Sequence, residues 1–418
     1  MKLKRLPEDF QVEELTDFGP NNAGEFALYR LTKSGLGTPE VIEAVARRWN
    51  LGRRQISYGG LKDRHAVTRQ FLTIRRGPRR DLRQTNFELA YRGQAVRSIG
   101  PSDIQANRFQ IVIRSLATEE VAAAEAALGE VRRDGLPNYF DDQRFGSVGE
   151  SGEFVARAWI AGNYERALWL ALAEPNRLDR PRDREEKRLL REHWGDWPTC
   201  KAKLQRSHRW SIVAFLCDRP GDLRGALARV PTDLRSLYVA AFQSHLWNRI
   251  LAAFVQQTCA PEQLVVIQLK TGAAPFFRAL DDSIRSVLLG TELPLPSSRM
   301  RLEEGPIRQL VERSLDELGL KLREVRIKYP RDSFFSKGWR RACYTVENLT
   351  HEVADDELYR GRKKLSLRFD SPRGSYATIL VKRITVAAGT TIDRSDMELD
   401  GHWDEEPEAA DQSEPYGA

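Results

Sequence analysis

The sequence has few of the residues that build metal centres or disulfide frameworks. Only four of its 418 residues are cysteine and only six are histidine. The cysteines are widely spaced, with no CxxC pair and no histidine cluster beside them, which excludes the usual zinc and disulfide patterns. We therefore expect no metal site. The four are Cys200, Cys217, Cys259 and Cys343.

Long apolar segments and familiar catalytic motifs are also missing. No run of about 18 apolar residues is present, and the basic N-terminus lacks the apolar region of a signal peptide, so we expect a soluble, cytoplasmic protein with no membrane partner. The string from Gly59 to Lys62 has neither the spacing nor the hydroxyl of a phosphate-binding P-loop. GxSxG, HExxH and post-strand GxGxxG motifs are absent, which argues against hydrolases, zincins and dinucleotide enzymes.

Lysine and arginine are absent from residues 396–418, which hold nine acidic residues, and we expect this tail to be disordered. The whole chain has a net charge of +7, so the remainder carries +16. A body this basic suits a polyanionic partner such as RNA or DNA, because Lys and Arg displace counterions from phosphates. Arginine enrichment also arises from genome-wide bias, so charge alone names no partner.

The chain is long enough for two domains, and its periodicity mixes helices and strands. Thr38 and Pro39 look like an N-cap and the first position of a helix. The alternation around Phe109 predicts a strand, and residues 234–254 predict an apolar helix. Near the C-terminus we expect a hairpin, with a strand over 365–369, a turn at 371–374 and a second strand over 376–381.

The stretch YGGLKDRHAVTRQ, residues 58–70, places one acid, Asp63, among Lys62, Arg64 and His65. Nearby cations lower a carboxyl pKa, and paired glycines let a backbone approach a ligand closely. An ionised acid in such a turn suits a nucleophile or a base. The alternative is a solvated turn whose aspartate caps a helix or pairs with a neighbour.

This stretch resembles the active-site segment of the TruD family of tRNA pseudouridine synthases, and five further blocks resemble that family's motifs in the same order. They are PEDFQVEE (7–14), GEFALYRLTKSGLGT (24–38), NRFQIVIR (107–114), PNYFDDQRFG (137–146) and RGSYATILVKR (373–383). Between them the resemblance is looser, chiefly at AFQSHLWN (241–248).

The resemblance implies an α+β fold, in which a pseudouridine synthase catalytic domain with a mixed sheet and helices is interrupted by a mainly helical α/β insertion domain. The expected limits are 1–147 for the first part of the catalytic domain and 148–339 for the insertion. The second part would span 340–395, followed by the tail at 396–418.

The resemblance also implies a function, the isomerisation of a uridine of tRNA to pseudouridine, with uridine 13 as the expected target. Asp63 would be the essential catalytic residue, whether it attacks C1′, adds to the uracil ring or removes a C2′ proton. No cofactor is implied, and we expect a monomer. The alternative is a non-catalytic RNA-binding or RNA-chaperone protein on the same fold, against which the intact Asp63 argues.

The substrate-binding residues implied by the resemblance are Phe10, Asn107, Phe109, Tyr376 and Lys62. Phe109 would stack on the uracil, and the Asn107 amide matches a base edge that both donates and accepts hydrogen bonds. Lys62 could instead keep Asp63 ionised. A further possibility is an ion pair of Glu13 or Glu14 with Lys33 or Lys62.

Overall fold

The structure is a computed structural model that describes residues 1–390. The predicted disorder of the acidic tail lies outside these residues. The described chain divides into two compact units, the first formed by residues 1–136 together with 344–390 and the second by residues 137–343. No helix within residues 1–390 is both long and apolar enough to cross a bilayer.

Residues 1–136 form mostly strands. In chain order the elements are β1 (Lys2–Leu3), β2 (Phe10–Leu15), β3 (Phe26–Lys33), α1 (Thr38–Trp49), β4 (Ile56–Tyr58), β5 (Val67–Arg75), β6 (Leu82–Arg83), β7 (Phe87–Ala95), β8 (Ala106–Leu116), α2 (Thr118–Asp134) and β9 (Leu136–Pro137).

The middle of the chain is mainly helical, with α3 (Val155–Ile160), α4 (Tyr164–Leu172), α5 (Pro181–Glu192), α6 (Trp197–Lys203), α7 (His208–Asp218), α8 (Leu223–Ala228), α9 (Thr232–Thr258), β10 (Leu264–Leu269), β11 (Gly272–Phe277), α10 (Asp282–Gly290), β12 (Glu292–Pro294), α11 (Pro306–Asp316) and β13 (Trp339–Arg341). The last elements are β14 (Cys343–Tyr344), β15 (Glu347–Asp355), β16 (Lys363–Pro372) and α12 (Ala377–Ala387).

The first unit is built on one mixed sheet in the order β15-β16-β8-β2-β5-β3-β7-β6, with β1 added to β8 and β4 added to β5. Its neighbouring strands are antiparallel except β2 and β5, which are parallel. Strands β16 and β8, from opposite ends of the chain, pair with Phe369 opposite Phe109. The two sequence segments of this unit therefore share one sheet.

Helix α1 covers one face of the β3, β5 and β7 strands, because Val41, Ile42 and Val45 recur at helical spacing and are fully buried. The predicted start of this helix differs in one detail. Gly37 is the N-cap and Thr38 is already helical. The Thr38 hydroxyl instead donates to Gln70 and accepts from the Lys62 backbone N–H.

The predicted C-terminal hairpin is wrong, because residues 377–387 form helix α12 rather than a strand. The strand over 365–369 exists as part of β16, but its hairpin partner is β15, which precedes it. A short apolar run such as Ile379 to Val381 has the same appearance in a buried helix as in a buried strand. All three of these side chains are buried, so the sequence showed no polar face from which the helical period could be read.

The second unit is organised around the long helix α9. Trp247 and Phe242 of this helix are buried, and Phe140 packs edge-on against Trp247 with ring centroids 5.5 Å apart. The Asn248 amide accepts from the Phe140 N–H and donates to the Phe140 carbonyl. The loosely matching block at 241–248 thus lies in the core of this unit.

A buried arginine ties the start of the chain to the sheet. Arg114 on β8 is 4% exposed and donates to Asp9, which is 1% exposed, in a bidentate arrangement. It also reaches Asp356 at 3.1 Å and Glu357 at 3.0 Å. These charges compensate one another, and removal of the arginine would deprive two buried carboxylates of their cationic partner.

We therefore predict that Arg114→Ala lowers the free energy of unfolding by about 3–5 kcal/mol, as expected when one partner of a buried ion pair is removed. Urea unfolding measures the loss. The matched control is Arg83→Ala, because Arg83 pairs with Glu88 but is 78% exposed, and its loss should cost at most about 1 kcal/mol. Equal losses for the two variants would contradict this account.

Candidate active site

The parallel pairing of β2 and β5 brings distant segments to one edge of the sheet. Gln11 lies opposite Val67, so both strands begin at the same edge and the segments preceding them meet there. Strand β3 is antiparallel to β5 and ends at this edge, where Lys33 lies opposite Thr68. The edge therefore collects the loop that contains Asp63 and the end of β3.

Asp63, within this loop, forms an ion pair with Lys4 from the N-terminal segment. Its second carboxylate oxygen accepts from the His65 backbone N–H at 2.9 Å, and its side chain is only 14% exposed. Burial raises the pKa of the Asp63 carboxyl, but the Lys4 charge and the two hydrogen bonds outweigh it, so the pKa lies below its usual range. Asp63 is therefore an ionised, largely enclosed carboxylate.

The lysine that pairs with Asp63 is not its sequence neighbour Lys62. The Lys62 ammonium lies 2.7 Å from Glu14, whose side chain is fully buried, and Arg64 pairs with Glu40 at 3.2 Å. The predicted pair of Glu14 with Lys62 is thus present. Lys4 stands 59 positions from Asp63, and sequence reasoning did not single it out, although it lies just before the PEDFQVEE block.

Lys33 binds the backbone of the same loop through hydrogen bonds. Its side chain is 1% exposed, and its ammonium donates to the carbonyls of Leu36 at 2.7 Å, Asp63 at 2.8 Å and Lys62 at 3.3 Å. Burial lowers the pKa of Lys33 to about 8, although the negative charge of Asp63 acts in the opposite direction. Three carbonyls on one buried ammonium fix the position of the loop.

Neutral hydrogen bonds complete this support. The Gln70 amide donates to the Gly60 carbonyl at 3.1 Å and accepts from Thr38 at 2.8 Å. The two paired glycines differ in their surroundings. A Cβ at Gly59 would lie 2.4 Å from the Ile104 side chain, whereas one at Gly60 would meet no atom within 4 Å. Gly59 therefore lets the loop pack against Ile104.

Aromatic rings adjoin this ion pair. The Lys4 ammonium lies 4.3 Å from the Phe10 ring centroid, and Phe10 meets Phe109 edge-on at 6.2 Å. Phe369 stacks against Phe109 at 5.4 Å with an interplanar angle of 26°. Phe109 is only 8% exposed, so it is part of the core as well as a candidate base contact. Contacts thus connect Asp63 through Lys4 and Phe10 to Phe109.

Asn107 lies on the same face of β8 as Phe109, because side chains two positions apart on a strand point to the same side. Its buried Oδ1 has no hydrogen-bond partner within residues 1–390, and the same holds for Oγ of Ser371, directly opposite on β16. Buried polar atoms are rarely left without a partner. A bound polar ligand at this position would supply one.

The remaining predicted site residue, Tyr376, lies immediately before α12 and is half-buried. The preceding strand, β16, runs antiparallel to β8 and ends at Pro372, opposite Ala106, next to Asn107. Glu13, the other acid considered as a network member, pairs with Arg30 rather than with a lysine. Within residues 1–390, no three His, Cys, Asp or Glu side chains cluster in a way that could hold a metal ion.

Known proteins resemble this chain over nearly its whole length. The family described as "tRNA pseudouridine synthase D (TruD)" matches residues 1–384. A relative from Methanocaldococcus jannaschii, named "Probable tRNA pseudouridine synthase D 2", is 30% identical over 396 residues, which is 93% of each chain. The Aquifex aeolicus protein named "tRNA pseudouridine synthase D" is 25% identical over 391 residues, 92% of this chain and 98% of its own.

A crystal structure of the TruD homologue from Methanosarcina mazei superimposes with a TM-score of 0.69 at 25% identity, covering 92% of this chain and 93% of that one. This similarity confirms the predicted α+β fold, and the family match confirms the resemblance drawn from the six sequence blocks. The chain belongs to the TruD family and is a tRNA pseudouridine synthase.

Proposed function

We propose that Asp63 is the catalytic carboxylate with which this enzyme converts a uridine of tRNA to pseudouridine, and that uridine 13 is its target. The observation that carries the proposal is the state of Asp63, an ionised acid that is 14% exposed and fixed by Lys4 and Lys33 next to a row of aromatic rings. The choice of uridine 13 rests on family resemblance alone.

The reaction is an isomerisation that needs no added group. The bond between N1 of uracil and C1′ of the ribose breaks, the base turns, and a bond forms between C5 and C1′. The C5 proton is then lost and N1 takes up a proton, so the product has the same atoms as the substrate. Because the Lys4 pair holds the pKa of Asp63 below its usual range, the carboxylate is a weak base at neutral pH. Because the same carboxylate oxygens act as base and as nucleophile, this lowered pKa affects attack at C1′, addition to the ring and removal of the C2′ proton alike.

The substrate uridine must leave its stack to reach Asp63, as in other enzymes that act on a base. Phe109, backed by Phe369, would support the detached uracil, and the unpartnered Asn107 Oδ1 would accept from the uracil N–H. Phe10 and Tyr376 would complete the base site. Lys62 remains a predicted substrate contact, although its ammonium is engaged by Glu14, which suits a positioning role equally well.

The central prediction concerns Asp63→Asn, which keeps the shape of the side chain and removes its charge. In cells that lack this gene, the wild-type protein should restore pseudouridine at position 13 of tRNA, and the variant should not. With purified protein, turnover should fall at least about 100-fold, the low end for loss of a general acid or base, while tRNA affinity stays within a few-fold.

The matched control for Asp63→Asn is Asp355→Asn. Asp355 also pairs with a lysine, Lys363, at 2.6 Å, but its side chain is 88% exposed. This control should restore the modification fully. Residual turnover of Asp63→Asn above about a hundredth of wild type would contradict an essential carboxylate, and a restored modification at another position would contradict only the choice of uridine 13.

A second pair of variants separates base stacking from core packing. Phe109→Leu and Phe369→Leu each remove one ring of the same stack, and each should lower stability by about 1–1.5 kcal/mol, as near-volume-conserving core changes do. Only Phe109→Leu should reduce kcat on tRNA, because Phe109 is the proposed support of the uracil. Thermal melts and single-turnover kinetics measure the two effects, and equal losses of kcat would show that packing alone matters.

The pKa of Lys33 predicts a pH dependence of stability. Burial lowers this pKa to about 8 in the folded protein, from 10.5 ordinarily, so between these pH values the unfolded chain binds more protons than the folded one. This group should therefore raise the free energy of unfolding as pH rises through that window, by up to about 1.4 kcal/mol per pH unit. Urea unfolding should show the rise in wild type and its absence in Lys33→Met.

A further inference from the structure

Three large aromatic side chains of the second unit are left in water on one stretch of chain, residues 326–341, which we call the aromatic segment. Tyr329 is 41% exposed, Phe334 is 44% exposed and Trp339 is 49% exposed. Nothing in the proposed chemistry at Asp63 uses them. Clustered exposed apolar groups mark interaction sites, and these three rings lie close together in the sequence.

The aromatic segment is firmly anchored, so these exposures do not come from a frayed loop. Asp332 forms two hydrogen bonds with the buried Arg235, at 2.7 and 2.8 Å. The Gln243 amide donates to the Ser336 carbonyl at 2.8 Å, and Phe335 is 2% exposed. Buried anchors thus alternate with exposed rings, and the rings are presented on a fixed backbone.

The charge of the aromatic segment is strongly positive. It contains six basic residues and one acid, Asp332, which is already engaged by Arg235. Within residues 1–390, Lys328, Arg331 and Lys337 form no ion pair at 4.0 Å or less. By contrast, Arg75 at the end of β5 and the adjacent Arg76 both pair with Glu25, so the positive charge at this position is partly neutralised.

Two of the exposed rings already carry an arginine on their faces. The Arg224 guanidinium lies 4.6 Å from the Tyr329 ring centroid, and that of Arg299 lies 5.1 Å from the centroid of Phe334. Aromatic rings and guanidinium planes are the surfaces on which proteins stack unpaired bases, while nearby lysines and arginines contact the phosphates. A protein partner would need carboxylates for the cations but would not need a surface of rings and guanidinium planes on which bases can stack.

We propose that the aromatic segment binds unpaired nucleotides of the tRNA substrate, with its rings stacking on bases and its cations contacting phosphates. This inference rests on the proposed function for the identity of the RNA. It assigns tRNA affinity, rather than the chemical step, to residues 326–341. Loss of this surface should therefore raise KM and leave kcat at saturating tRNA unchanged.

The first test replaces the rings. Phe334→Ala and Trp339→Ala should each weaken tRNA binding on the order of tenfold, within the range measured for loss of one base stack, and Trp339→Phe should retain most of the affinity. The matched control is Val266→Ala, an apolar residue of the same unit that is 59% exposed, which should bind like wild type. Thermal melts identify any variant that has lost its fold, and Phe334, which lies outside the strands, remains informative if Trp339→Ala unfolds.

The second test replaces the cations, and it measures the salt dependence of binding. In the triple variant Lys328→Ala, Arg331→Ala, Lys337→Ala, the negative slope of log affinity against log salt should become shallower by about 2. This value corresponds to about 0.7 per phosphate contact with a single strand. The control triple Arg188→Ala, Arg249→Ala, Arg308→Ala changes the net charge equally but removes arginines that pair with carboxylates. It should leave the slope nearly unchanged.

The outcomes separate this inference from the proposed function. If wild type modifies tRNA but the ring variants bind tRNA as tightly as Val266→Ala does, the inference is overturned, and a protein partner becomes the better explanation of the rings. Equal slopes for the two triple variants would overturn the phosphate contacts. If instead wild type fails to modify tRNA while the ring variants still lose RNA affinity, the proposed function fails and the RNA-binding surface stands.

Discussion

Burial of the Lys33 ammonium is the constraint on which the geometry of the candidate site depends. A buried charge must be compensated, and three backbone carbonyls provide the compensation, two from the loop around Asp63 and one from Leu36, just before α1. The loop cannot move away from β3 without leaving that charge unsatisfied. The hydrogen bonds of the buried Lys33 ammonium, rather than the turn that contains the paired glycines, therefore hold Asp63 in place.

Strand topology explains how so few interactions suffice to assemble the site. Because β2 and β5 are parallel, the segments before them meet at one edge of the sheet, and the antiparallel β3 delivers Lys33 to the same edge. The pairing of β8 with both β2 and β16 sets Phe109 between Val12 and Phe369. Register alone thus brings together residues that are hundreds of positions apart in sequence.

The sequence blocks single out residues that the structure connects by contacts, but they do not predict how the charges of the site pair. The ordered blocks singled out Asp63, Phe10, Asn107 and Phe109, and Lys4 and Phe10 connect Asp63 to Phe109 in the structure. Sequence proximity nevertheless missed Lys4, the main cation at Asp63. Pairing across a sheet is a long-range property, and the adjacent Lys62 points instead to the buried Glu14.

The error over α12 has a similar origin. Three consecutive apolar residues of this helix are buried, so the sequence has no alternation of apolar and polar positions there that would distinguish a helix from a strand. Packing against α2, and not the local pattern, therefore decides for the helix. The exposed fraction of the side chains likewise separates the roles of the exposed and the enclosed aromatic residues. Phe109 and Phe369 are buried against each other, so they serve packing whether or not a base is present. Trp339 and Phe334 are nearly half exposed, which core packing alone does not explain, and for these residues recognition of a partner is the simpler physical explanation.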